Sequence, residues 1–148
     1  MKKNYLKSAK SLLIIGSAMF FAACATISKF DQYAYEQTTS IKVDALNVMN
    51  LATEKYDSSA NAVLTVNTSI DKMVEYEKNR PKNEVSEKMW VILQDSSQNL
   101  YGGFIKRWKK EGTLDTAFIK ESQKMVGQAF DQISELESGK IKSQQVTN

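Results

Sequence analysis

Apart from the thiol of Cys24, the side chains that could do chemistry in this 148-residue chain are carboxylates, amines and hydroxyls, because the chain contains no histidine. Without histidine there is no Ser-His-Asp or Cys-His catalysis and no His-ligated zinc or haem. Two carboxylates could share acid–base work only if they met in a pocket. Glu84 with Glu87, and Glu135 with Glu137, are close in sequence, but helical phase places both pairs on the surface. We therefore predict no catalytic residue, no metal site and no cofactor.

The most unusual segment is NLYGGFIKRWKKEG, residues 99–112. Leu100, Phe104 and Trp108 recur every four residues, which is typical of the buried stripe of a helix. The rest of this turn carries what we call the basic surface: Lys106, Arg107, Lys109 and Lys110. This surface would bind anionic lipid headgroups or an acidic partner, or it is the solvated back of a core helix, which the regular spacing favours. The Gly-Gly pair at 102–103 costs up to about 1 kcal/mol per glycine in a helix, which indicates a close backbone approach, a kink or a hinge.

A second polar segment, EYEKNRPKNE at residues 75–84, surrounds the only proline of the chain. It mixes an aromatic side chain with acidic and basic ones, namely Glu75, Tyr76, Glu77, Arg80 and Lys82. Such a segment could be a recognition loop presented between two helices. The alternative is a solvated corner with local ion pairs, each worth under about 1 kcal/mol. We favour the corner, because mixed charge runs of this kind more often belong to solvated turns.

The first ten residues contain four lysines, and an apolar run from Leu12 to Phe21 follows, ending in Ala22-Ala23-Cys24. A positive start, about ten apolar residues and small residues at the exit are typical of a secretory signal peptide. The apolar run is shorter than the roughly 20 residues that a membrane-spanning helix needs. Residues 1–23 are therefore predicted to be a cleaved leader.

The stretch FAAC at residues 21–24 resembles the lipobox of bacterial lipoproteins. The resemblance implies cleavage after Ala23, diacylglycerol on Cys24 and usually an N-terminal acyl chain, and two or more chains anchor a protein stably. The pattern departs at Phe21, where the family usually has leucine or another aliphatic residue, which predicts slower processing. Ala25 in place of aspartate implies the outer membrane, facing the periplasm, if the host has two membranes. The alternatives are a plain secretory signal with an incidental cysteine and an uncleaved membrane helix.

The mature chain that this cleavage would produce is nearly neutral. Removal of residues 1–23 takes away four lysines and no acidic residue, which leaves 16 basic against 17 acidic residues. The basic excess belongs to the leader, so we expect no nucleic-acid partner. The remaining 125 residues suit one domain with one core, and acylation of the only cysteine would leave none for a disulfide.

Apolar residues recur every three or four positions along the mature chain, and no strand pair with turn chemistry appears. The periodicity predicts five helices, at residues 28–56, 59–79, 83–94, 100–111 and 116–138. The first stripe begins at Phe30, the third helix buries Ile92, and Asp115 caps the fifth helix. The sequence DSSAN at residues 57–61 separates the first helix from the second.

The predicted fold is an all-α bundle of four or five helices, mostly antiparallel because the loops are short. The predicted divisions are a signal peptide (1–23), an acylated anchor and short tether (24–27), a helical domain (28–139) and a disordered tail (140–148). We expect a lipid-anchored, non-enzymatic lipoprotein of the cell envelope that binds an unknown envelope protein as an adaptor. The alternative is a bundle that holds a lipid or other apolar ligand between its helices, lined by Met49, Met73, Met89 and Met125. An enzyme ranks last.

Replacement of Cys24 by serine tests the anchor. Serine offers no thiolate for the thioether bond, so the variant should accumulate as an uncleaved precursor or as a soluble form. The measurement combines the mass of the N-terminal fragment with membrane fractionation of the cells. Thr26→Ser, two residues further on, should be processed like the wild type. Membrane retention and an N-terminal mass that both survive Cys24→Ser contradict lipidation.

Overall fold

The computed structural model describes residues 30–141, and all regular structure among them is helical. Five α-helices follow one another: α1 (Gln32–Asn50), α2 (Tyr56–Lys78), α3 (Glu84–Gln94), α4 (Tyr101–Glu111) and α5 (Thr116–Glu137). A short 3-10 turn, Leu51–Thr53, follows α1. The predicted all-α bundle is confirmed. The predicted leader, Cys24 with its tether, and residues 142–148 of the predicted tail lie outside the described residues.

The helices form an antiparallel bundle in which α3 and α4 share the fourth position. Both α1 and α3 pack on α2 and α5. The 11 residues each of α3 and α4 extend for about 16 Å, so the pair matches the 22 residues of α5, about 33 Å long. The starts of α1 and α3 meet the ends of α2 and α5 at what we call the Arg80 end. The opposite end, where α4 ends and α5 begins, is the Gly112 end.

At the Gly112 end, the turn between α1 and α2 (51–55) is hydrogen-bonded to the turn between α4 and α5 (112–115), and these bonds fix where α2 begins. Three hydrogen bonds connect them: Leu114 N–H to Ala52 O at 2.7 Å, Tyr56 N–H to Gly112 O at 3.1 Å, and the Trp108 indole N–H to Glu54 O at 2.9 Å. The prediction of a break at residues 57–61 is wrong, since the chain turns at 51–55 instead. Asp57 lies in the first turn of α2, where a negative side chain stabilises a helix.

The core follows the predicted stripes except at the start of α1 and in α3. Phe30 is 60% exposed and Ile92 is 47% exposed, so their predicted burial is wrong. The buried residues of α3 are Ser86, Trp90 and Leu93. The Trp90 ring meets that of Phe130 edge to face, with centroids 5.7 Å apart, and both side chains are fully buried. Five consecutive apolar residues, 89–93, face all sides of α3, so periodicity alone does not fix which of them are buried.

Capping residues mark the start of α5 and the end of α4, whereas the predicted bounds of the first helix, 28–56, are wrong because α1 begins at Gln32 and ends at Asn50. Asp115 accepts hydrogen bonds from the backbone N–H groups of Ala117 and Phe118, as predicted. Gly112, at φ +82°, ends α4. Asn83 stands at the start of α3 but makes no capping hydrogen bond with its side chain. Within residues 30–141, none of the helices is both long and apolar enough to cross a membrane.

Gly102 and Gly103 lie where α4 passes the loop that follows α3. A Cβ atom on Gly102 would lie 2.0 Å from the backbone oxygen of Gln94, and one on Gly103 would lie 1.8 Å from that of Gln98. Backbone atoms cannot swing aside as a flexible side chain can, so only glycine fits at these two positions. The close backbone approach that the Gly-Gly pair predicts is confirmed.

Gly103→Ala should destabilise the bundle by about 1–3 kcal/mol, because the new methyl group overlaps the Gln98 carbonyl. This loss runs against the helix propensity of alanine, which by itself favours the substitution by about 1 kcal/mol. Gly127→Ala in α5 is the matched control, since its Cβ would meet only side-chain atoms, at 3.8 Å or more. We expect Gly127→Ala to leave the urea midpoint unchanged or higher. Equal stability of the two variants would show that the loop moves freely away from α4.

Candidate functional site

The predicted basic surface lies on α4 near the Gly112 end, and all four of its side chains are exposed. Arg107 donates from Nε to Glu111 Oε1 at 2.9 Å, and its guanidinium lies 4.1 Å from the centre of the Phe118 ring. The ammonium group of Lys109 lies 5.7 Å from the centre of the Tyr56 ring. The opposite face of α4 is buried, through Tyr101, Phe104, Ile105 and Trp108. The aromatic stripe is therefore part of the core. Because that face of α4 is buried, the four positive side chains, which lie within residues 106–110, point to solvent.

A buried network of charges lies at the other end of the bundle. Nη1 of Arg80 donates to Oε2 of Glu77 and to Oε2 of Glu137, both at 2.8 Å. Nε of Arg80 lies 3.5 Å from Oδ2 of Asp31. Both glutamates are buried, and the Arg80 side chain is 13% exposed. The prediction that Glu137 lies on the surface is therefore wrong. The predicted solvated corner at residues 75–84 is wrong for Glu77, Arg80 and Asn83, whereas most of its other residues are exposed.

Three uncharged side chains complete what we call the Arg80 network. The hydroxyl of Tyr76 donates to Asp31 Oδ2 at 2.8 Å, that of Ser86 donates to Glu137 Oε1 at 2.6 Å, and Asn83 Nδ2 donates to Glu77 Oε2. Asp31 also caps α1 by accepting from the N–H of Ala34. The partners come from the starts of α1 and α3 and from the ends of α2 and α5. Charge-assisted hydrogen bonds therefore join four helix ends.

The charge balance of the network makes Glu77 its proton-binding group. Burial and the nearby carboxylate of Glu137 raise the pKa of Glu77 from 4.5 to about 7, although Asn83 and Arg80 act in the opposite sense. The buried Oδ1 of Asn83 accepts no hydrogen bond from any residue in 30–141. A protonated Glu77 could donate to this oxygen after the amide flips, whereas an ionised Glu77 could not.

Asp31 responds differently to the same network. Burial alone would raise its pKa, but the N–H of Ala34, the hydroxyl of Tyr76 and the charge of Arg80 outweigh burial and hold the pKa of Asp31 below its usual value. Burial and the Asp31 carboxylate raise the pKa of the Tyr76 phenol. Asp31 therefore stays ionised across the pH range in which Glu77 titrates.

The two buried glutamates do not open onto the surface beside them. A shallow depression of about 420 Å3 lies there, lined by Tyr33, Lys72, Glu75, Tyr76, Asn79 and Arg80. Neither Glu77 nor Glu137 contributes to its walls, because the guanidinium of Arg80 lies between them and solvent. A general acid or base must come within hydrogen-bond reach of its substrate. The network joins four helix ends through its hydrogen bonds.

An apolar groove of about 340 Å3 lies between α4 and α5. Its lining includes Leu100, Phe104, Arg107, Phe118 and Met125. The rings of Phe104 and Phe118 stack in parallel, 6.0 Å apart, and form the apolar part of the wall. Of the methionines predicted to line a ligand cavity, Met125 reaches this groove, whereas Met49 and Met73 are buried in the core. The volume lies at the lower end of the range for ligand pockets, about 300–1,000 Å3.

Among residues 30–141, no group of three or more acidic or cysteine side chains is placed so that it could hold a metal ion. In comparisons with known proteins, no family model matches the chain, and neither curated proteins nor solved structures give a match. The Arg80 network is the feature that sequence reasoning missed. No local signal in the sequence indicates it, because the partners of Arg80 lie in other helices.

Stability should fall as the pH rises through the pKa of Glu77. The pKa in the folded state, about 7, is above the ordinary 4.5, so the stabilising proton is bound in full below about pH 4.5 and lost above about pH 7. Between pH 5.5 and 8 we expect the unfolding free energy to drop by about 1–2 kcal/mol. Thermal melts across this range provide the measurement.

Glu77→Gln should remove this pH dependence and should melt at pH 8 no lower than the wild type. Glu75→Gln is the control, because Glu75 is exposed two residues away and pairs with Lys78 in solvent. Its melting temperature should change with pH as much as that of the wild type. A wild-type melting temperature that is constant from pH 5.5 to 8 would contradict the assignment of Glu77.

Proposed function

We propose that the protein is a bacterial lipoprotein of the cell envelope, anchored through diacylglycerol on Cys24, that acts as a non-enzymatic binding or adaptor module. The resemblance of FAAC to a lipobox supports the anchor. The lack of histidine in the chain, and the closure of Glu77 and Glu137 behind Arg80, support a role without catalysis. In a host with two membranes, the site of action would be the outer membrane, facing the periplasm.

The observation that carries the proposal is the polarity of the bundle. The described chain begins at the Arg80 end with Phe30, six residues after Cys24, and six residues span at most about 20 Å. The 19 residues of α1 then extend for about 28 Å to the Gly112 end. The basic surface on α4 lies near that far end. A protein tethered at Cys24 would therefore carry its basic surface away from the membrane.

This placement favours an acidic partner protein over lipid headgroups of the same bilayer. Electrostatic attraction between exposed charges is screened over about 8 Å at physiological salt, far less than the length of the bundle. The aromatic contacts of Arg107 and Lys109 limit the freedom of two of the four cations, which reduces the entropy lost when a partner binds. The partner's surface should accordingly carry carboxylates that match a short row of positive charges.

Photo-crosslinking in cells tests the adaptor role. Probes at Lys106 and Lys109 of the full chain should each give a discrete cross-linked protein band, which mass spectrometry identifies. A probe at Lys82, at the Arg80 end, should not give this band. Lipid adducts alone, or no product from the two α4 probes, would contradict the adaptor role.

The same cross-linking can separate a specific surface from general charge. Changing Lys106, Lys109 and Lys110 together to glutamate should abolish the cross-link made from a probe elsewhere on α4. Changing Lys72, Lys88 and Lys124, three exposed lysines on other helices, alters net charge equally and should leave the band intact. If both triple variants lose the cross-linked band equally, the basic surface is not a specific binding site and is only solvated charge.

The groove between α4 and α5 supports a second candidate function, the binding of a lipid or other apolar ligand. The stacked rings of Phe104 and Phe118 offer an apolar wall, and the Arg107 guanidinium lies beside it. This function would appear as small-molecule adducts from a probe at Met125. Such adducts without protein bands from Lys106 and Lys109 would favour the ligand-binding function over the adaptor.

A further inference from the structure

Three aromatic side chains are exposed at the start of α1, and we call them the aromatic rim: Phe30, Tyr33 and Tyr35. They are 60%, 50% and 37% exposed. Within residues 30–141 every other aromatic side chain is buried or half-buried. The remaining large exposed apolar residues are aliphatic or methionine and are distributed over the turn after α1 and four helices: Val43, Leu51, Leu64, Val91, Ile92 and Met125. The exposed aromatic surface is therefore concentrated at the Arg80 end.

The rim is held in place by contacts on its inner side. The Tyr33 and Tyr76 rings lie with centroids 4.9 Å apart, and the Phe30 ring lies 6.3 Å from that of Tyr35. Tyr76 in turn donates its hydroxyl to Asp31 and lies beneath the guanidinium of Arg80, at 5.6 Å. The buried network thus positions Tyr33 through Tyr76, whereas Phe30 and Tyr35 contact each other, and all three rings are exposed to solvent.

The dimensions of the rim match the boundary layer of a membrane. Tyr33 and Tyr35 lie in the first turn of α1, about 3 Å apart along the helix axis, and Phe30 precedes the helix by two residues. Interfacial side chains enter the region between headgroups and acyl chains by about 5–10 Å. Tyrosine is enriched at this depth because its ring is apolar while its hydroxyl reaches water. Cys24 lies only six residues before Phe30, so an acylated cysteine would keep the rim within about 20 Å of the bilayer.

We infer that the aromatic rim is a membrane-contacting surface, which inserts Phe30, Tyr33 and Tyr35 at the headgroup boundary of the bilayer that holds the acyl chains of Cys24. This inference rests on the proposed lipid anchor. The lipid surface is the occupant because the short tether brings it to this end before any diffusing partner. The rim adds a second attachment point, so the bundle takes one tilt and keeps its Gly112 end outward.

The test uses the full chain, processed by the producing cell and reconstituted in phosphatidylcholine vesicles whose acyl chains carry bromine, a collisional quencher of tryptophan. Tyr33→Trp places a reporter in the rim. Val43→Trp places the matched reporter on the same helix, 53% exposed and about 15 Å further along. The native Trp90 and Trp108 are fully buried, and the wild-type signal is subtracted. Tyr35→Trp repeats the measurement in case Tyr33→Trp disturbs the packing on Tyr76.

We expect bromine to quench the rim reporters at least about twofold more than the reporter at residue 43. Equal quenching overturns the inference, and so does a cross-linked dimer joined through residue 33, which would assign the rim to a second copy of the chain. Flotation of the vesicles tests the lipid anchor separately from the aromatic rim. Wild-type protein that fails to float overturns the lipid anchor and the rim together. Protein that floats without differential quenching overturns the rim alone.

Discussion

The guanidinium of Arg80 is the group on which the arrangement of this bundle depends. It contacts carboxylates from three helices, and two of them extend the network to α3 through Asn83 and Ser86. Buried ion pairs contribute little net stability when compared with well-packed apolar residues, but loss of one partner strands the others in a dry site. The network therefore selects one register of the helix ends, whereas the apolar stripes supply most of the driving force for folding.

A cluster with one cation and three carboxylates also has a built-in response to protons. Hydrogen bonds stabilise Asp31 as an anion and lower its pKa. Glu77 is more deeply buried, so the excess negative charge of the site raises the pKa of Glu77 instead. The pKa of Glu77 lies near neutral pH because this carboxylate is buried and because a second carboxylate, Glu137 of α5, is close to it. Glu137 is 57 residues from Arg80 in sequence. The group with the raised pKa therefore lies at the end of the bundle that the chain enters first.

Sequence reasoning predicted the helices and missed the network, for a physical reason. Helix ends marked by Asp115, Gly112 and Pro81 are local, because these residues act through the backbone next to them. The break between α1 and α2 was misplaced, because it depends on hydrogen bonds to the distant turn at Gly112 and Leu114. Burial is set by partners distant in sequence. Glu77 and Glu137 look like surface residues in their own helices, and only the packing of α2 against α5 near Arg80 gives them a shared cation. The basic surface was placed correctly on α4 because its buried partner stripe lies in the same helix.

Phe30, which periodicity predicts to be buried, is exposed because the bundle ends before it. Periodicity placed it at the head of a core stripe, yet the bundle ends before the stripe does, and the residue is left outside with Tyr33 and Tyr35. A helix that continued its apolar pattern past its last packing partner for no reason would expose surface that favours aggregation. The two ends of the bundle differ in their exposed side chains, with aromatic rings where the chain enters and positive charge at the opposite end. The lipid anchor that we propose would offer the aromatic end a partner in the bilayer.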